Sequence, residues 1–526
     1  MTVQLVTPRP FAVAALSALL LGCSPSPGKP PAAPGQAAAA PAPNWVQATP
    51  EALQGAQLDA RVRAFYEARA WRPAWTAQSA AQLQTAVKDL PRHGVDPARL
   101  TADIAVEDTT AREIALTQTA LAYGDILAHG LINPATVFEI FALKRNTFSV
   151  DATLSVALDK RRLADWLASL PPQDEEYVAL SETYLRMLEQ AKLAQPLAIA
   201  TGKAIKPGQT DPRIPQIVQA LIDGGYLLAP PPPDPAAPVT ALPPLYGENL
   251  VEAVKLFQNR QGINADGVLG AGTIAVMNAG PADRARQIAL NLESRRWLNH
   301  APPETRIDVN TAASTLSYFR DNALVEIRRV ITGKRATPTP NLESSFDDLV
   351  VNPPWNVPAG IAAKEILPKG AGYLAANDMY VTGGRLVQRP GPKSALGRVK
   401  FNMEDPYAIY LHDTPSKAAF QANERHLSHG CVRVDDALGF ARLLAGEHGK
   451  TADFEAKLAR EATATVPLGA ALPVRVFYHT AFLDPAGVIA YRPDVYGWDE
   501  KLASALEMAL PMKREVAPAT ATDVGP

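Results

Sequence analysis

From Trp45 to about Ala200 the apolar residues recur at threes and fours: Leu53, Val62, Phe65 and Tyr66, then Leu116, Ala120 and Leu127, then Leu180, Tyr184, Leu185 and Leu188. That period predicts helices with one buried face. Breaks are expected at Gly94-Val95-Asp96-Pro97, from Gly130 to Pro134 and at Pro171-Pro172, where glycine and proline interrupt the pattern. Residues 45–205 therefore read as one helical region, with His93 and His129 as loop or cap residues at its turns. A smaller helical unit covers 206–300. Ile217 and Leu221 lie in its first half, a Pro-rich insertion at 230–244 interrupts it, and Val254, Phe257 and Gln258 lie on a helix in its second half. Arg284 to Leu298 reads as a helix leading out of that unit.

Near Thr305 the period changes to alternation. Arg306 to Asn310, Thr315 to Phe319 and Ala323 to Thr332 read as strands, with Asn322 and Gly333 as turn signals. The pattern is that of a β-sandwich or small barrel. The apolar run Ile409 to Leu411 reads as a short buried strand that ends on His412. Residues 361–388 mix an amphipathic stretch with Gly and Asn, and stand either as a lid over a cleft or as an insertion without a role. Asp435 and Asp436 are placed to cap a helix from Ala437 to about Ala445, and a second helix covers Thr451 to Arg460. The sheet resumes at Val474 to Tyr478 and Val488 to Tyr491, and residues 511–526 form a frayed tail. The fold class is multidomain α+β: a helical N-terminal region, a small helical domain, and a mainly-β domain over 301–510 with a helical insertion.

Composition adds two constraints. With 526 residues, 47% of them hydrophobic, the chain is long enough for several cores. A net charge of −2 without a basic run argues against nucleic acid as the main partner. Residues 1–22 look like an export signal, with Arg9 ahead of an apolar run from Phe11 to Leu21 that is too short to span a bilayer as a helix. Leu20-Leu21-Gly22-Cys23 resembles a bacterial lipobox, which implies lipid on Cys23; the alternative is a leader cut elsewhere, with Cys23 incidental. Residues 23–44, rich in Pro and Ala, then read as a tether. Ser24 in place of aspartate favours the outer membrane over the inner one.

Candidate chemistry lies between His412 and Cys431. Cys431 is the only cysteine beyond residue 23, and three of the eight histidines, His412, His426 and His429, fall in this stretch. A thiol with a pKa of about 8.5 is a weak nucleophile until a base or a positive environment raises its thiolate fraction. A histidine delivered by one element and a cysteine by the next supply that activation, and Gly430 permits a backbone conformation that other residues avoid. Two other readings stand beside it. Cys431 is a small buried hydrophobe, or His412, His426, His429 and Cys431 ligate a metal, although no second cysteine or helical histidine pair supports that. An unpaired cysteine in an exported chain is more easily understood as a reactive group than as half of a disulfide.

Tyr410-Leu411-His412-Asp413-Thr414-Pro415 followed by Ser428-His429-Gly430-Cys431-Val432-Arg433 resembles the signature of the L,D-transpeptidases, the YkuD-type catalytic domain of peptidoglycan crosslinking enzymes. Asn352 to Pro358, which includes Trp355 and Asn356, and Gly391 to Gly397 are similar to further motifs around that family's cleft. Phe65 to Trp75 and His93 to Pro97 resemble the N-terminal scaffold of the large, YcbB-like members. Phe257-Gln258, Gly262, Asp266-Gly267, Gly270 and Thr273 resemble a helical peptidoglycan-binding domain that either grips the wall or braces the catalytic domain. The resemblance implies Cys431 as nucleophile, His412 as general base and acid, and backbone N–H groups near Gly430 and Cys431 for the oxyanion. Ser428 and His429 would support the cysteine loop, and Trp355 and Asn356 would contact substrate. Arg433 is open between holding a substrate carboxylate and a structural ion pair. The implied partners are peptidoglycan stem peptides and glycan, the membrane through the lipid anchor, and wall-synthesis proteins. The implied location is periplasmic, and no metal or organic cofactor is required.

Overall fold

The helical period of the N-terminal region corresponds to helices Ala60–Ala68, Ala77–Asp89, Thr109–His129, Val150–Asp159, Leu163–Ser169 and Glu175–Leu193. Their starts are set locally: Asp59, Thr76 and Asp108 each accept backbone N–H groups that the first turn leaves without partners. The computed structural model describes residues 45–193, 199–229 and 245–508. The leader over 1–22, Cys23 and its tether, the insertion at 230–244 and the tail over 511–526 lie outside the described residues.

Helix Pro281–Arg296 does not simply lead out of the preceding module. It is the packing centre, with Ile288, Ala289, Leu290 and Leu292 buried alongside Asn291, Glu293 and Arg296. Gly94 of the N-terminal region, at φ +71°, approaches it so closely that a Cβ there would lie 3.0 Å from Ala289. Glu293 ties the loop after helix Thr109–His129 to the end of its own helix. Its Oε1 accepts from the Leu131 N–H at 2.7 Å and from Trp297 Nε1 at 3.1 Å, while Oε2 pairs with Arg296 at 2.5 Å. Arg296 in turn donates to the His93 carbonyl at 2.8 Å, and His93 Nδ1 lies 3.1 Å from the Tyr177 hydroxyl. His93 is thus buried inside a junction, while His129 meets the Phe148 carbonyl at 3.0 Å as a helix-end tie.

The C-terminal region forms a closed ring of eight strands. We label them β1 (Arg306–Asn310), β2 (Thr315–Arg320), β3 (Ala323–Gly333), β4 (Asn341–Val351), β5 (Val399–Phe401), β6 (Leu411–His412), β7 (Val432–Val434) and β8 (Ala464–Phe477). The order around the ring is β4-β8-β1-β2-β3-β7-β6-β5, and β5 pairs with β4 again, so the sheet closes as a barrel rather than opening as a sandwich. All neighbours are antiparallel except β8–β1 and β6–β7. Its core joins Ile307, Leu316, Val330, Leu349, Phe401, Leu411 and Val432 to Phe440 and Leu444 of helix Ala437–Glu447. Asp436 caps that helix through Gly439, as its sequence position suggests, and Asp435 pairs with Arg329 at 3.0 Å.

Two attachments cross the ring. The two-residue strand Phe141–Ala142 of the N-terminal region adds in parallel to β4. The small helical module, built on Ile217, Leu221, Val254, Phe257 and Leu269, meets the barrel where Asn423 donates to the Ile263 carbonyl at 2.7 Å and Arg492 to the Arg260 carbonyl at 3.0 Å. Helix Trp498–Ala505, which the residue pattern did not disclose, packs Trp498 and Leu502 against Phe138 and Trp297.

Glu293→Ala leaves the buried Arg296 without its countercharge and removes the acceptor for two backbone N–H groups. The expected outcome is a loss of about 3–5 kcal/mol of stability, read as a lower urea midpoint. An unchanged midpoint would show that the pair does not brace the junction.

Candidate active site

Register builds the site. In the parallel pair β6–β7, Leu411 stands opposite Val432 and His412 opposite Arg433; in the antiparallel pair β5–β6, His412 stands opposite Lys400. Side chains alternate across a strand. Leu411, Val432, Val399 and Phe401 therefore enter the barrel core, and His412, Lys400 and Arg433 share the other face; Tyr410 and Cys431 stand just ahead of the two short strands, and Cys431 borders the core cluster. The rings of Tyr410 and His412 meet edge to face with centroids 5.5 Å apart, and Lys400 Nζ lies 4.4 Å from the Tyr410 centroid.

His412 is fully buried. Its Nδ1 lies 2.5 Å from the Asp413 carbonyl, an acceptor, so Nδ1 carries the proton and Nε2 carries the lone pair. Nε2 has no hydrogen-bond partner among the described residues, and no hydrogen bond joins it to the thiol. Burial, then Arg433, Lys400 and Lys417, hold the imidazole down to about 3. It is neutral at physiological pH. Asp413 is itself fixed, accepting from the Arg398 N–H at 2.8 Å.

Cys431 ends a tight loop. Gly430 adopts φ +122°, and a Cβ there would sit 3.2 Å from Ile409, so both conformation and space favour glycine. The Ser428 hydroxyl donates to the Cys431 carbonyl at 2.6 Å and accepts from the Gly430 N–H at 3.1 Å, while Thr339 donates to the Gly430 carbonyl at 2.7 Å. Burial pushes the thiol up to about 11 against the opposing pull of the Tyr410 backbone N–H, the Tyr410 hydroxyl and Lys400. The resting pair is therefore thiol and imidazole rather than thiolate and imidazolium.

The remaining candidates are placed as follows. The Gly430 N–H is already bonded to Ser428, so it is not an open oxyanion donor. Trp355 is 2% exposed and anchors the core beneath the inserted segment with Val357, Ile366, Leu386 and Leu396, so it does not line an open substrate surface; Asn356 beside it is exposed. His426 turns away from the cysteine, held by Glu424 at 2.7 Å and the Thr311 carbonyl at 2.9 Å, and does not join a four-ligand cluster with it. His429 lies 2.7 Å from Glu365 and 3.1 Å from Lys334, which links the cysteine loop to the insertion. The insertion is a small folded body: strands Trp355–Asn356, Met379–Thr382 and Arg385–Gln388 with helical turns that include a π-helical stretch, Ala362–Ile366. Arg433 is buried next to His412.

Lys400 and Glu365 escape sequence reasoning, and Tyr410 and Asp413 fall inside the quoted motif without a role being read for them. Tyr410 and Lys400 were readable in principle, since each is polar within an alternating apolar strand, Val399-Lys400-Phe401 and Ile409-Tyr410-Leu411-His412. Glu365 carried no signal, because only the folded insertion brings it to His429.

His93, His412 and His479 are all pushed down by burial, the first two to about 3. Unfolded, each binds a proton below about pH 6.5. The unfolded chain thus binds more protons between that pH and about 3, and stability falls as pH is lowered through the interval. Urea midpoints taken between pH 7.5 and 5 are expected to decline, and His93→Gln to flatten part of the slope. A flat profile for the parent protein would contradict the neutral histidines.

Comparison with known proteins agrees with the motifs. Residues 304–465 match the family model for "L,D-transpeptidase catalytic domain" (YkuD), residues 60–183 match "Scaffold domain", and residues 210–277 match "Putative peptidoglycan binding domain". A curated relative from Haemophilus influenzae, named "Putative L,D-transpeptidase", is 33% identical over 224 residues, a match spanning 37% of this chain and 45% of the relative. Among solved structures, L,D-transpeptidases from Stackebrandtia nassauensis and Xylanimonas cellulosilytica align at 15% and 16% identity with TM-scores of 0.21 and 0.19, covering 54% and 53% of this chain and 97% and 99% of theirs. The chain carries a YkuD-type L,D-transpeptidase catalytic domain, joined in one polypeptide to a scaffold domain and a domain of the peptidoglycan-binding kind.

Proposed function

We propose that this protein is a cysteine-dependent L,D-transpeptidase that forms 3-3 crosslinks between peptidoglycan stem peptides. The observation that supports the reading is that His412, with its Nε2 lone pair available, ends β6, while Cys431 immediately precedes β7, the strand paired with it. Because both groups are neutral at rest, the proton moves from Sγ to Nε2 as sulfur attacks the donor carbonyl. The carbonyl belongs to the third residue of a tetrapeptide stem. Its oxyanion meets the Cys431 backbone N–H, since Ser428 holds that of Gly430; such a donor contributes about 3 kcal/mol. His412 then passes the proton to the departing D-alanine amine, leaving a thioester. The side-chain amine of another stem attacks the thioester and closes the crosslink.

Stem peptide reaches the thiol only when the inserted body over Tyr410 and Trp355 moves, so the insertion works as a lid. His429, through Glu365, ties that lid to the nucleophile loop. The wall-enzyme domains imply a periplasmic or wall-associated location, and lipid on Cys23 would hold the protein at the outer membrane.

Mass spectrometry of protein lacking residues 1–44, incubated with disaccharide tetrapeptide, tests the reading. The expected product is a dimer that has lost one D-alanine. It should be absent with Cys431→Ala and reduced on the order of 10²–10⁴-fold in rate with His412→Ala. Tripeptide without dimer would make the enzyme a carboxypeptidase, and unaltered tetrapeptide would overturn the proposal.

A further inference from the structure

His412 stands between two cations, Lys400 across the antiparallel β5–β6 pair and Arg433 across the parallel β6–β7 pair. An imidazolium formed there would sit against two like charges, so it cannot serve as a lasting countercharge for a sulfur anion. A cation lies close by, although burial draws the pKa of Lys400 down. Lys400 Nζ rests 4.4 Å from the centre of the Tyr410 ring, and Tyr410 turns both its hydroxyl and its backbone N–H to the Cys431 sulfur. Lys400 is half-buried on its strand, flanked by apolar Val399 and Phe401, which enter the core.

Resting on the cysteine–histidine reading above, we propose that Lys400 is a positioning residue for Cys431: its ammonium clamps the Tyr410 ring against the sulfur and supplies the positive charge that supports the thiolate once the proton has left. In the acyl-transfer step the S–H bond breaks and Nε2–H forms, sulfur bonds to the carbonyl carbon, and the C–N bond breaks as the proton passes to the amine. Lys400 exchanges no proton in this sequence. Opposing influences act around the sulfur as well. Asp405 faces the thiol with a carboxylate, Arg433 lies beside His412, His429 with Glu365 joins the cysteine loop to the insertion, and Asp348 on β4 competes for the ammonium.

The test is the pH profile of Cys431 alkylation by iodoacetamide in the full chain, followed as mass gain on the Cys431 peptide between pH 7 and 10. Lys400→Met is expected to slow alkylation about tenfold at pH 8 and to move the profile about one unit upwards. Lys400→Arg, which keeps the charge and stacks on the ring, is expected to stay within about threefold of the parent. A Lys400→Met profile that superimposes on the parent overturns the proposal. So does a Lys400→Arg profile displaced upwards by a full unit, an outcome that decides the matter should Lys400→Met not fold. Alkylation needs no peptidoglycan, so a shifted profile in a protein that makes no dimer would sink the transpeptidase reading and leave this one standing.

Discussion

The parallel pairing of β6 with β7 is the constraint on which the site depends. Two-residue and three-residue strands would be marginal by themselves; here each is held on both sides, β6 by β5 and β7 by β3, and buried through Leu411 and Val432 in the barrel core. The period of two then leaves no freedom in where the chemistry faces. A slip of one residue would send His412 into the core and Leu411 to the site. The same pairing fixes the neighbours of the imidazole, because whatever stands opposite His412 on the flanking strands must lie beside it, and those residues are Arg433 and Lys400.

Burial is the second determinant, and it opposes the first charge-separated state that the chemistry requires. A thiol raised to about 11 beside an imidazole lowered to about 3 disfavours proton transfer while the site is closed. The polar groups gathered around the sulfur, the Tyr410 N–H and hydroxyl and the Lys400 ammonium, act in the other direction. Lys400 is held in β5 and Tyr410 directly precedes β6, so neither need rearrange when charge develops. Apolar walls and fixed dipoles together describe a centre that is quiet when empty and stabilised at the moment of attack.

Much of this was legible in the residues, and what was missed has physical causes. The run from Tyr410 to His412 and the Ser428-to-Arg433 motif carry the proposed base and nucleophile, and the helical breaks at Gly94 and Gly130 fall where the structure turns. β4 was not read, because its buried residues change phase: Leu342 and Phe346 occupy even positions, Leu349 and Val351 odd ones. The shift coincides with an irregularity in β8 between Pro467 and Leu472, where the two strands lose register. Barrel closure was equally invisible, since β5 is three residues long and closes the ring by pairing with β4 and β6. Trp355 illustrates a different limit: a motif marks proximity to a cleft, but it does not say whether the side chain lines the opening or supports the wall behind it.

The distribution of stiffness bears on how a polymeric substrate could be admitted. The N-terminal region is fastened to the barrel by the Phe141–Ala142 strand and, through Glu293 and Arg296, to the buried helix Pro281–Arg296. The small helical module is fastened at Asn423, which lies between His412 and Cys431 in sequence. Moving either body would disturb the barrel or the segment that joins His412 to Cys431. The insertion differs. It has its own small core, it meets the site through Tyr410 and Trp355, and its polar link to the cysteine loop is the Glu365–His429 contact. Opening there would leave the barrel pairings intact, whereas opening elsewhere would dismantle the register that fixes His412 beside Arg433 and Lys400.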